Sequence, residues 1–241
     1  MRKMMLMVLA SIIALPTTLW AYEKDVPENW IRDMEAAYLK INNYTALFHK
    51  QEQINGKLRE EETIFVKFKK PFKIYMKWIK NPYKGREALY AEGWNENRMM
   101  IYESTVIGGA TANLDPKGFI AMRGNRHPIT DSGIGNLVKL IGDNFTKGIK
   151  TGELEFKERG EETVYDRKTK KVELIFPRDK ARGYYCYRAI TNIDVEKNLP
   201  LKVQIYDWNN NLIENYGYEN LKLNVGLTDN DFDPKNSEYK F

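Results

Sequence analysis

The sequence predicts a mainly β protein with α-helices: a large antiparallel sheet or open barrel, with two or more amphipathic helices packed on its concave side. Three observations predict it. Ile64, Val66 and Phe68 alternate with Phe65, Lys67 and Lys69, and after Pro71 the residues Phe72, Ile74, Met76 and Trp78 alternate with Lys73, Tyr75 and Lys77. A period of two puts one set on each face of a strand, here one bulky and apolar, the other largely cationic. A sheet with one dry and one wet face is antiparallel, because parallel sheets are covered on both sides. The same alternation returns in Leu201, Val203 and Ile205 against Lys202, Gln204 and Tyr206. Between the two lies a helical stripe of Ile134, Leu137, Val138, Ile141 and Phe145, one side of a helix at about 132–147.

The elements follow in order. Residues 1–21 read as a secretory signal: Arg2 and Lys3 are followed by the uncharged apolar run Met4–Leu15, with Ala21 at a plausible cut. Residues 22–241 then form one domain, exported to the periplasm or beyond. A helix over about 25–41 opens it, with Asp25 and Glu28 as a capping pair, Pro27 in the first turn, and Trp30, Met34, Ala37, Tyr38 and Ile41 on one side. Strands are expected at 44–54 and 58–69, joined at Asn55–Gly56, a dipeptide that tolerates the positive φ of a tight hairpin. Further strands are expected at 72–80, 86–91 and 99–102. Gly108–Gly109 and Asp115–Pro116 break the pattern, and a basic loop (Arg123, Arg126, His127) leads to the second helix, with Asp131 or Ser132 as its N-cap. Gly133 and Gly135 weaken that helix's first turn. Strands at about 152–158, 162–166, 171–176, 184–193, 201–208 and 212–221 complete the chain.

Composition limits the function. The formal net charge of +5 falls to +3 once Arg2 and Lys3 leave with the signal, too little and too scattered for nucleic acid. One cysteine, Cys186, excludes an internal disulfide or thiolate cluster. It stands in a strand-like run and reads as a buried thiol. The two histidines, His49 and His127, have no paired metal-ligand spacing, so neither metal nor cofactor is expected. His127 reads as a solvated loop residue, Asp131–Ser132–Gly133 lacks the elbow of a nucleophilic serine, and Glu60–Glu61–Glu62 and Glu161–Glu162 read as solvated charge. No covalent chemistry is implied. Lys67, Lys69, Lys70, Lys73 and Lys77 with Tyr75 form a basic outer face, suited either to transient contact with anionic headgroups or an acidic partner, or to protecting the sheet.

The signal, the N-terminal helix, the hairpin and the junction Lys69–Lys70–Pro71–Phe72 resemble the LolA/LolB/LppX superfamily of envelope lipoprotein and lipid carriers. Pro71–Met76, Lys84–Tyr90 and the ending Leu227–Asp233 resemble an uncharacterised branch of it. The resemblance implies an open half-barrel closed by helices, with an apolar hollow that holds a lipid or an acylated lipoprotein. On that reading Ile64, Val66, Phe68, Phe72, Ile74, Met76 and Trp78, with Ile134, Leu137, Ile141, Phe145, Leu201, Val203 and Ile205, line the hollow. From the residues alone, a packed core under the two helices is the favoured reading of the face from Ile64 to Trp78; the resemblance reverses that. An arginine that latches the lid in the lipoprotein chaperone is matched here by Lys70, a gate candidate that offers a point charge and not a planar fork. The implied function is a periplasmic carrier; the alternative is an envelope sensor of the same fold with a protein partner.

Overall fold

The computed structural model describes residues 29–241, so the signal segment and the capping pair Asp25/Glu28 lie outside the described residues. Helix α1 (Trp30–Leu39) is followed by strands β1 (Asn43–Ile54), β2 (Lys57–Leu58), β3 (Glu62–Lys69), β4 (Lys73–Trp78), β5 (Glu87–Ala91), β6 (Met99–Glu103) and β7 (Ala110–Leu114). A short α2 (Phe119–Met122) and a 3-10 turn (Ile129–Asp131) lead into α3 (Ile134–Thr151), and β8 (Glu155–Val164), β9 (Arg167–Ile175), β10 (Arg188–Asp194), β11 (Pro200–Tyr206) and β12 (Leu212–Leu223) follow. All pairings are antiparallel. The order β7-β6-β5-β4-β3-β1-β12-β11-β10-β9-β8 leaves two free edges, with β2 paired to β1. This is the expected open, curved sheet with helices against it.

Several boundaries differ from expectation. The strand expected from 184 starts at Arg188, so Cys186 sits in an irregular segment, though buried as expected. The segments 152–158 and 162–166 are one strand, β8, with a register shift between Glu158 and Glu161. An extra strand, β7, follows the glycine pair: Gly108 and Gly109 take positive φ and turn the chain back onto β6.

The inward faces of β1, β3, β4 and β11 meet the helices in one apolar cluster that extends from Ile31 to Leu221. Tyr44 and Phe68 stack with ring centroids 4.9 Å apart, and Trp30 lies 5.1 Å from Phe145. Neither Asp131 nor Ser132 caps α3. Its N-cap is Gly133, with φ 102°. The Ile134 N–H donates to the Tyr44 hydroxyl at 3.2 Å, and the Gly133 N–H donates to that of Tyr218. Two buried tyrosines thus satisfy donors that every helix start leaves open. Gly135 is small for a packing reason: a Cβ there would lie 2.2 Å from the Tyr38 ring of α1. Substituting Gly133→Ala places a side chain in a left-handed conformation, 3.1 Å from the Tyr44 hydroxyl. The expected loss is about 1–3 kcal/mol in thermal denaturation; a loss below about 0.5 kcal/mol would mean that the turn relaxes freely.

Lys70 reaches α1. Its Nζ donates to the Tyr38 carbonyl at 2.9 Å and lies 4.2 Å from the Tyr38 ring centroid. A cation on the last carbonyls of a helix is favourable for both the hydrogen bond and the helix dipole. Lysine therefore does tie this helix to the sheet, without a fork.

The outer lysine face is not open. The C-terminal segment lies across it: Tyr239 stacks on Tyr75 at 3.9 Å, and Phe232 is buried with Tyr75 and Leu89. Lys67 pairs with Asp231 at 3.2 Å, Lys73 with Asp229 at 2.9 Å, Lys69 also with Asp229, and Lys77 with Glu87 at 3.2 Å. Of the five lysines of the basic face, Lys67, Lys69, Lys73 and Lys77 are answered by this chain's own acids and Lys70 by the α1 carbonyls.

Candidate functional site

The inward face of β1 changes character along its length. Tyr44, Ala46 and Phe48 are followed, on the same face, by Lys50 and Glu52, both buried. Their partners on β12 are Tyr218 opposite Phe48, Tyr216 opposite Lys50 and Glu214 opposite Glu52. The half-barrel is thus dry under α1 and the first turns of α3, and polar at its other end. Where the two regimes meet, a cleft of about 350 Å³ opens between α3 and the sheet. Phe48, Leu137, Leu140, Tyr216 and Tyr218 form its apolar wall, and Glu52, Glu214, His127 and Tyr185 its inner end.

Two carboxylates facing each other across a strand pair repel. Arg126 relieves this: its main-chain N–H donates to Glu52 Oε2 at 2.9 Å and its Nε to Glu214 Oε1 at 2.7 Å. The Tyr185 hydroxyl donates to the same Glu214 oxygen at 2.5 Å, and His127 Nε2 lies 3.1 Å from it. Tyr216 donates its hydroxyl to Glu52 Oε1 at 2.6 Å. Lys50 lies 3.4 Å from both Glu52 and Glu62, and Glu62 also accepts the Trp78 indole N–H. Burial pushes the Glu214 carboxyl up, but the hydrogen bonds and charges of His127, Tyr185 and Arg126 outweigh it and hold the group below the usual carboxylate range. Burial pushes His127 down, and Glu214 more than reverses that. Glu214 and His127 thus share one hydrogen-bonded network, and each favours the charged form of the other. Burial also raises the Cys186 thiol to about 12, which makes it inert at neutral pH.

Residues 41–241 match the family model described as "Protein of unknown function (DUF1571)". The chain belongs to the DUF1571 family. No curated protein matches it. The lipoprotein LppX of Mycobacterium tuberculosis superposes with a TM-score of 0.50 at 12% identity, over 85% of this chain and 96% of that one. A LolA superfamily protein from Nitrosomonas europaea covers the same shares at a TM-score of 0.36 and 10% identity. The Pseudomonas aeruginosa MucA/MucB complex gives 0.48 at 14% identity; 85% of this chain aligns with 59% of that one. At such identities the likeness is one of fold.

In this DUF1571 chain the residues expected to line a hollow are brought together, chiefly as packed interior. Ile64, Val66, Phe68, Ile74, Met76, Trp78, Ile134, Leu137, Ile141, Phe145, Leu201, Val203 and Ile205 are buried in the one apolar cluster, and Phe72 packs on its margin. Leu137 alone among them lines the cleft. His127, expected in solvent, is part of the buried network, because the loop that carries it folds into the polar end of the half-barrel. Glu62 also turns inward, and Glu61 accepts a contact from His49 at 3.0 Å. Among the described residues no cluster is placed to hold a metal ion. Lys50 and Glu52 carried a sequence signal, since they continue the inward register of Tyr44, Ala46 and Phe48. Tyr185 carried none, because it lies in an irregular segment that depends on α3 through a bond from its N–H to Asn144.

Proposed function

We propose that this protein is a non-enzymatic periplasmic binding protein or carrier, and that the cleft beside α3 receives an acyl chain of a lipid or of an acylated lipoprotein. The observation that carries the reading is the apolar wall of Phe48, Leu137, Leu140, Tyr216 and Tyr218, left open beside an otherwise closely packed interior. Its size falls in the range of small-ligand sites. Burial of an acyl chain contributes about 0.8 kcal/mol per methylene, so a short length of chain suffices for useful affinity. The signal-like sequence of residues 1–21 supports the periplasm, and the resemblance of Lys69–Phe72 and its neighbours to envelope lipid carriers supports the carrier class.

Native mass spectrometry of the protein, purified gently from a bacterial periplasm, tests this. A co-purifying acyl species is expected. Leu140→Trp fills the cleft from a half-buried position and is expected to weaken its retention at least about tenfold, with a stability change within about 0.5 kcal/mol. A bare protein mass that persists after incubation with lipid vesicles would end the proposal.

A further inference from the structure

We infer that the inner end of the cleft selects a hydrogen-bond donor (an amine, amide or hydroxyl carried on an apolar chain) and rejects a carboxylate or phosphate in that position. This rests on the binding reading above. Glu214 is wholly buried and forms part of the cleft wall. Its Oε1 accepts from Arg126 and Tyr185 and lies beside His127, whereas its Oε2, also buried, has no hydrogen-bond partner. A buried carboxylate oxygen left without a donor is costly, so a ligand that supplies one gains more than an ordinary hydrogen bond. Glu52 offers no such vacancy, because its two oxygens accept from Tyr216 and from the Arg126 main chain.

Most donors at this end are already committed, the exception being the second ring nitrogen of His127, which has partners at Nε2 alone. Tyr185 and Tyr216 give their hydroxyl protons to the two glutamates, Arg126 its Nε–H to Glu214, and Lys50 is held between Glu52, Glu62 and Asn125. At the mouth, Lys139 pairs with Asp143 at 2.7 Å. An entering anion would meet an unsatisfied acceptor, and cations whose charge already faces Glu52 and Glu214.

Titration calorimetry with dodecylamine, dodecanol and sodium dodecanoate at neutral pH, each below its aggregation concentration, tests this on the unaltered protein. The amine is expected to bind at least about tenfold more tightly than the dodecanoate, the difference of roughly one charge-assisted hydrogen bond. The net positive charge of the chain would by itself favour the anion, so that order has to come from the site. Binding of dodecanol as well as the amine assigns selection to the donor; binding of the amine alone narrows it to the cation. Glu214→Gln, checked by circular dichroism, keeps an oxygen for Arg126 and Tyr185 and puts an N–H₂ at the open position. The amine is then expected to lose about tenfold and the dodecanoate to gain. Equal affinities, or tighter dodecanoate binding, in the unaltered protein would overturn the donor selection and leave the binding reading standing. No binding of any of the three would overturn both.

Discussion

Alanine in place of Glu214 is expected to lower the folding free energy by about 3–5 kcal/mol, measured by urea denaturation. The substitution leaves Arg126, His127 and the Tyr185 hydroxyl at the inner end of the cleft without their common acceptor. Glutamine there keeps an acceptor and is expected to cost less, about 1–2 kcal/mol. The pH dependence gives an internal control. The folded pKa of His127 lies above its ordinary 6.5, so the stability it contributes is full below about 6.5 and is lost as pH rises through the folded value. The folded pKa of Glu214 lies below its ordinary 4.5, so its contribution is full above about 4.5 and is lost as pH falls through the folded value. Removing Glu214 should flatten both slopes. A loss under about 1 kcal/mol, with both slopes intact, would show that the network is not holding this end of the half-barrel together.

Phe232→Ala is expected to cost about 3–5 kcal/mol, the range for truncating a buried aromatic. Phe232 is buried against Tyr75 and Leu89 on the outer face of β4 and β5, and the segment that carries it brings Asp229, Asp231 and Tyr239 to the lysines. With Phe232 truncated, limited proteolysis should cut first between 227 and 241, because Phe232 is the buried anchor of the segment and what remains is partly exposed rings and solvent-screened ion pairs. Asp229→Asn is the contrasting case. Lys69 and Lys73 pull the Asp229 carboxyl to about 2, but the group is fully exposed, so its replacement should leave the urea midpoint nearly unchanged. If Phe232→Ala shifts the midpoint no more than Asp229→Asn does, the segment is an ornament on the sheet.

Much of the architecture was legible because its signals are short-ranged. Ile64 to Trp78 alternates strictly, and the register Ile64 opposite Trp78, Val66 opposite Met76 and Phe68 opposite Ile74 puts both apolar sets on one face. The stripe from Ile134 to Phe145 lies on the buried side of α3. Lys70 was a gate candidate through the family resemblance and through no local signal; the bond it makes is a cation on helix carbonyls. The candidate site was legible in one residue, Leu137. A strand face that turns from Phe48 to Lys50 and Glu52 looks, by composition, like a strand that runs out into water. It is buried because Glu214, Arg126, His127 and Tyr185, distant in sequence, converge on it.

The sequence by itself determined where most strands and the two long helices run and which side of each is apolar, because a side chain's direction in a strand or helix follows from local periodicity alone. Only the tertiary structure decided what lies against each face. It filled the interior between β3, β4 and α3 with side chains, left the cleft farther along β1 and β12, folded the Arg126–His127 loop onto two facing glutamates, and laid the 227–241 segment over the lysines. Each outcome depends on volumes and charges brought together from distant parts of the chain. No local period encodes those sums.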